Sequence, residues 1–342
     1  MAASADHPHF VTLGMFIIDN FSFLDDQGLA TGKHLDPQIG GGGTYASIGA
    51  RIWLSADRLG MVVDRGHDFP DAIQQKLLSY GQDMWLFRDN PDCPTTCALN
   101  SYRGDHRGFE YLTPRIRITP HDLVNTRLER SRILHFICSP SRAAAIMSEV
   151  QAIDGWLPIT IYEPIPDRCI PQELPALIAI LPSISILSPN AEEALSILSM
   201  PLPATKPRIE EACAKLLEFG IGSDGNGSVI IRSGGMGAYV ATRSRGGKWI
   251  DAFWNDASGK VVEVTGAGNS FLGGLAAGLV STEGNVYEAV LYATVSASFT
   301  IEQEGLPHMT RADNNGEAVE LWNGDSPERR LGELVERHAQ HN

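Results

Sequence analysis

The stretch VVEVTGAGNSFLGGLAAGLV runs from Val261 to Val280. β-Branched residues come first, then a glycine turn, then small and apolar residues. That order predicts a strand, a tight turn and a helix. Gly266, Ala267 and Gly268 fall at the turn, and Asn269 and Ser270 open the helix. The first turn of a helix leaves N–H groups without intrahelical partners, and together with the helix dipole they favour an anion. A transferring phosphoryl group would gain charge stabilisation there. A strand-to-helix turn that needs glycine only for packing would use the same residues, and a lone glycine turn does not separate the two readings.

Outward from this stretch, the chain alternates between apolar runs and helical patterns. FVTLGMFIID, Phe10 to Asp19, predicts one buried strand that ends in an acid. Residues 20–39 are turn-rich and suit a short two-stranded flap. Gly40 to Gly43 then lead into a small-residue helical segment. LGMVVDRG predicts a strand, and DFPDAIQQKLLSYG a helix capped by Asp68 and stopped by Gly81. Thr96 to Leu112 alternates about a polar turn, as a hairpin does. RILHFIC, LPITIYEP (which ends at Glu163) and SVIIRSGGMGAYVAT supply further strands. Helical patterns lie between and after them, one opening at Asn190 and one amphipathic through Ile209, Cys213, Leu216, Leu217 and Phe219. Residues beyond about 307 are polar and are expected at the periphery. Alternating strands and helices predict a mainly parallel sheet covered on both faces, in one α/β domain spanning residues 1–342.

Hydrophobic residues make up 43% of the 342 and charged residues 20%, enough for a sizeable core. Lysine and arginine number 27 against 41 acids, a formal charge of −14. Such a surface repels nucleic acid and anionic membrane, yet a nest of backbone N–H groups still binds phosphate locally. The five cysteines are odd in number and widely spaced, which favours reduced thiols in an intracellular compartment over a metal site. The opening residues carry no basic segment followed by an apolar run, and no apolar run reaches the roughly 18 residues of a membrane span. These features predict a cytoplasmic protein whose partner is a small molecule.

TGAGNSFLGG resembles the C-terminal signature of the ribokinase-like, or pfkB, carbohydrate kinases, in which an aspartate closes the glycine turn. Other pieces fall in that family's order: LGMFIID with Asp19, the Gly40 to Gly43 run, LSPNAEEAL with Asn190 and Glu193, and VIIRSGGMGAYV with Ser233, Gly235 and Gly237. The likeness covers about residues 10–305. YEPIPDRC and GGGGTYASIGAR look most like a fungal branch linked to maintenance of a killer virus.

The resemblance implies a three-layer ribokinase-like fold, with a central mainly parallel sheet between helices and a small β-lid at about 20–39 and 97–112. It implies ATP with Mg²⁺ as donor and a small alcohol as acceptor. Asp19, Gly41, Gly42 and Gly43 would then bind substrate. Asn190, Ser233, Gly235, Gly237 and Thr265 would hold the nucleotide, with Glu193 and Glu263 facing metal, a monovalent cation included. Gly266, Ala267, Gly268 and Asn269 would carry the catalytic loop. Asn190 and Glu193 lie one helical turn apart and share a face, so they suit either a magnesium hydration shell or a helix cap. An exposed lid edge would also allow a homodimer.

The sequence departs from the family's pattern in three places. Glu263 stands at the first aspartate of the signature, and Tyr45, Ala46 and Ser47 stand where an asparagine commonly follows the early glycines. Asn269 replaces the closing aspartate, and an amide has no proton-accepting pKa near neutrality. Three readings follow: a phosphotransferase relying on position, metal and electrostatics, acting on a hydroxyl or an already ionised carboxylate; a pseudokinase or nucleotide-binding scaffold; and ATP-dependent ligation through an acyl phosphate.

Overall fold

The computed structural model describes residues 7–103, 106–254, 258–314 and 317–340. Its strands are β1 (Phe10–Thr12), β2 (Ile17–Leu24), β3 (Gln38–Gly40), β4 (Leu59–Gly66), β5 (Trp85–Asn90), β6 (Cys97–Arg103), β7 (His106–Tyr111), β8 (Ile133–Cys138), β9 (Ile159–Pro164), β10 (Ile186–Leu187), β11 (Ser228–Arg232), β12 (Ala238–Thr242), β13 (Gly246–Ile250), β14 (Met309–Asn314) and β15 (Glu317–Trp322). The helices are α1 (Gly42–Arg51), α2 (Asp71–Ser79), α3 (Pro140–Ala152), α4 (Leu174–Ile180), α5 (Ala191–Ile197), α6 (Lys206–Glu218), α7 (Ala267–Ser281), α8 (Val286–Thr300) and α9 (Pro327–Gln340).

Nine strands form the central sheet in the order β13-β12-β11-β10-β9-β8-β1-β4-β5. The seven strands from β11 to β5 pair in parallel, and β12 and β13 add an antiparallel edge. Parallel strands need crossovers, and helices supply them on both faces. Successive strand residues enter opposite cores: Phe10 and Ile230 join one buried cluster, Val11 and Ile231 the other. The first core packs under α1, α7 and α8, and the second under α3 to α6. Chain order reverses at β1, which has β4 on one side and β8 on the other. In open α/β sheets, ligands bind outside the carboxyl strand ends at such a switch point.

A separate four-stranded sheet has the order β3-β2-β6-β7. It draws its strands from the two segments read as a flap and a hairpin. The Gly104–Asp105 turn of that hairpin lies outside the described residues.

Several expectations need correction. Phe10 to Asp19 is not one strand: β1 stops at Thr12, and β2 begins at Ile17 in the second sheet. Apolarity persists through the break because both pieces are buried, so the pattern hides the change of sheet. Val261 to Val264 forms no strand. Val262 and Val264 are over 60% exposed, without a neighbouring strand to use their β-propensity. Asp68 does not cap α2, which begins after Pro70; its Oδ1 instead accepts the Thr95 N–H at 2.7 Å. The chain after residue 307 is not peripheral. Trp322, Leu334 and Arg330 are buried, and the β14–β15 hairpin and α9 close the first core.

Candidate active site

Helix α7 begins at the predicted turn. Gly266 is its N-cap, with φ of 80°, and no side chain caps the helix or places an acid in its first turn. The left-handed conformation costs an L-residue free energy, and a Cβ at Gly266 would also overlap the Tyr45 ring. The helix therefore presents its N-terminus without a competing anion of its own.

Two cavities flank this stretch. The first, of about 290 Å³, lies against the four-stranded sheet and is lined by Asp19, Phe23, Lys33, Tyr102, Glu263 and Thr265, among others. The second, of about 400 Å³, runs past Asn190, Ser233, Gly235, Trp254, Gly268 and Asn269. Consecutive residues thus face opposite ways: Glu263 and Thr265 the first cavity, Val264 and Ala267 to Asn269 the second.

The structure brings most of the anticipated residues together at these cavities. Asp19 is buried, with its carboxylate in the space a Cβ on Gly40 would need. Gly41 caps α1, Gly43 packs backbone to backbone on Gly14, and a Cβ on Gly42 would fall 3.1 Å from Asn269 Nδ2. Ser233 donates its hydroxyl to Ile231 O, and Gly237 turns the chain into β12 with φ of 89°. Asn190 and Glu193 form a complete capping box on α5: Asn190 Oδ1 accepts the Glu193 N–H, and Glu193 Oε2 accepts the Asn190 N–H. Both still line the second cavity. Glu263 stands apart from Glu193, on the first cavity, where Oε1 accepts both the N–H and the hydroxyl of Thr265. Thr265 lies on the same side.

Three buried side chains that sequence reasoning did not assign to the site complete it. Glu163, at the carboxyl end of β9, accepts Asn269 Nδ2–H through Oε2 at 2.8 Å. Its Oε1 lies 2.8 Å from Arg232 Nη2, at the end of β11. Arg232 also reaches Glu193 Oε2 at 3.6 Å and donates to Ser188 O. His135 Nε2 stands 3.6 Å behind Glu163 Oε2, and His135 Nδ1 is hydrogen-bonded to Thr12 Oγ1 at 2.9 Å. Thr12 Oγ1 also accepts the Gly14 N–H. For Glu163 and Arg232 the available signal was an acid or a base closing an apolar parallel strand, where these folds gather ligands; His135 lies within β8 and carried no such signal.

Charge is unevenly matched here. Burial disfavours the Glu163 anion, but Arg232 and His135 outweigh it and hold the pKa below the ordinary carboxylate value. Burial dominates at Glu193, with Glu163 adding repulsion, and Arg232 offsets only part of it, so that pKa rises to about 7. Burial pushes the Cys138 and Cys213 thiols up to about 12.

The fold is ribokinase-like, a three-layer α/β architecture with the uncapped N-terminus of α7 on the second cavity. The chain belongs to the pfkB family of carbohydrate kinases, whose family model matches residues 119–312. It is 36% identical to an uncharacterised protein of Schizosaccharomyces pombe, over 97% of this chain and 94% of that one. It is 34% identical to Protein MAK32 of Saccharomyces cerevisiae, over 92% and 88%. Both relatives are fungal, in line with the narrower resemblance. Among solved structures, Arabidopsis thaliana ribokinase complexed with ribose and ATP superposes with a TM-score of 0.64 at 18% identity, covering 87% of this chain and 94% of that one. Among the described residues, no helix is long and apolar enough to cross a membrane, and no three metal-binding side chains converge.

Proposed function

We propose that this protein transfers the γ-phosphoryl group of MgATP to a hydroxyl of a small acceptor. The observation that carries this reading is the pair of cavities divided by residues 261–269, with the N-terminus of α7 on the second of them. The second cavity suits the nucleotide. Its Ala252, Trp254 and Val264 offer an apolar bed for a base, while Ser233, Gly268 and the helix N–H groups face the phosphates. The first cavity suits the acceptor, under the four-stranded sheet acting as the lid.

Glu193, with Asn190 beside it, is the fitting place for Mg²⁺. A buried carboxylate raised to about 7 gains its missing counter-charge from a cation on its open side. The bound cation would neutralise phosphate charge. The chain's own residues do the rest: the α7 N-terminus holds the transferring group, and Asp19 accepts from acceptor hydroxyls. In the transfer, the acceptor oxygen bonds to the γ-phosphorus and the bond to the β–γ bridging oxygen breaks. ADP leaves, and the hydroxyl proton ends on a phosphoryl oxygen of the product. A loose transition state makes general-base assistance a lesser requirement than position.

Charge in the first cavity narrows the acceptor. Asp19, Glu263 and Glu304 face one cation, Lys33, while Phe21, Phe23, Tyr45 and Tyr102 supply aromatic surface. This favours a flat, uncharged or cationic alcohol and disfavours a carboxylate, which leaves acyl-phosphate chemistry and ligation without support. Arg232 beside Gly268 favours a second reading, binding without transfer, because it already fills part of the phosphate approach. Calorimetry with MgATP, followed by ADP release across a panel of sugars, nucleosides and heteroaromatic alcohols, separates the readings. Binding plus acceptor-dependent ADP supports transfer. Binding without ADP on any acceptor supports the second reading, and no binding removes both.

A further inference from the structure

Asn269, half-buried, and Glu163, buried, form an amide–carboxylate pair across α7 and β9, with Nδ2 to Oε2 at 2.8 Å. An asparagine side chain has one donating and one accepting end. With the donor engaged by Glu163, the Asn269 carbonyl oxygen is left for the cavity. An aspartate at 269 in the same rotamer would instead set two carboxylates against each other. The other charged or titratable groups around Glu163 are already committed: Arg232 from β11 pairs with its second oxygen, His135 from β8 backs the first, Glu193 from α5 shares Arg232, and Cys169 is buried nearby. Arg232 makes these contacts through Nη2 alone, shared among Glu163, Glu193 and Ser188 O.

We infer that the carboxylate this family carries at the end of the glycine turn has been transposed in this chain to Glu163. Glu163 is a positioning residue: it fixes Asn269 so that Oδ1 stays on the second cavity, where the transferring group would lie, and it keeps the site's net charge while the edge facing that cavity stays neutral. The pair works as a unit, so neither member can be changed alone without loss. The catalytic part of this inference rests on the phosphotransfer reading above; the pairing itself does not.

The test is a double-mutant cycle on the full chain with Asn269→Asp, Glu163→Gln and the two combined, using MgATP as probe. Each variant is scored for melting temperature without nucleotide and for MgATP affinity. Asn269→Asp alone is expected to lower the melting temperature and to weaken MgATP about tenfold, by juxtaposing two anions beside the phosphates. Glu163→Gln alone removes Arg232's main partner and also melts lower. The combined variant rebuilds the bond with its polarity reversed and is expected to recover most of both losses, a rescue that independent structural damage would not give. Additive losses, or an Asn269→Asp protein at least as stable and as tight for MgATP as wild type, would overturn the inference. If wild type fails to bind MgATP, the functional reading falls, and the melting-temperature cycle still decides the pairing.

Discussion

Gly268 shows how one side chain, or its absence, separates folding from binding. It sits in the first turn of α7, where a Cβ would collide with the Arg232 guanidinium. Alanine is the better helix former by about 1 kcal/mol. Gly268→Ala therefore leaves the melting temperature within a few degrees of wild type, provided Arg232 gives way. Displaced, Arg232 enters the phosphate approach or leaves Glu163 half-paired. MgATP affinity by calorimetry is expected to fall about tenfold, a change of ~1.4 kcal/mol. Gly266→Val carries both a left-handed φ and the Tyr45 clash, and is expected to destabilise the fold by roughly 2 kcal/mol or more in urea.

At the scale of elements, α9 is held by one buried cation. Arg330 donates to Glu302 Oε1 and Asp325 Oδ2, both at 2.8 Å, and to Ser298 Oγ, while its guanidinium lies 3.7 Å from the Phe299 ring centre. Removing one partner from a buried ion pair costs about 3–5 kcal/mol, so Arg330→Ala should shift the urea midpoint far more than a surface substitution on α9. Hydrogen bonds from Arg329, then from Arg330, hold Asp325 well below its ordinary 3.8 against the opposing effect of burial. A depressed carboxylate pKa stabilises the fold above the unfolded value, and that stability is lost as pH falls through the folded one. Acid titration from pH 5 downward should therefore cost wild type more stability than Asp325→Asn. Equal slopes for the two proteins would remove Asp325 from the account.

For the whole molecule, two cavities with one dividing strip make binding and closure separable. A ligand selective for the native state adds about 2.7 kcal/mol at a hundred times its dissociation constant, roughly 4 °C in melting temperature for a chain of this size. MgATP should give such a shift, and ATP with chelator a smaller one, if Glu193 takes the cation. Phe23 and Tyr102 stack at 5.2 Å within the second sheet and line only the first cavity. Phe23→Ala should accordingly raise KM for the acceptor about tenfold while leaving MgATP affinity unchanged. Loss of both affinities would mean that the sheet orders the nucleotide side as well.

Local pattern determines much of this fold. Strand β4 begins where its residues say it should, and α7 begins at Ala267, two residues before the expected Asn269, because apolar runs and glycine conformation are short-range properties. Parallel architecture follows from strands that alternate with helices. The order of the glycine run, Asn190–Glu193, Ser233–Gly237 and Gly266–Asn269 marked the site's rim for the same reason. Distance along the chain hid the rest. That β1 and β2 belong to different sheets depends on which strands pair with each, not on their own apolarity. That Arg330 is buried depends on Ser298 and Phe299 of α8, and Trp322 on Tyr80, which stacks on it. Asn269 by itself announced only a missing base. The tertiary fold brings Glu163 from 106 residues away into contact with it, and Arg232 and His135 into contact with Glu163. Residue type fixes what a group can donate, accept or ionise; only packing decides which group it meets and what charge survives there.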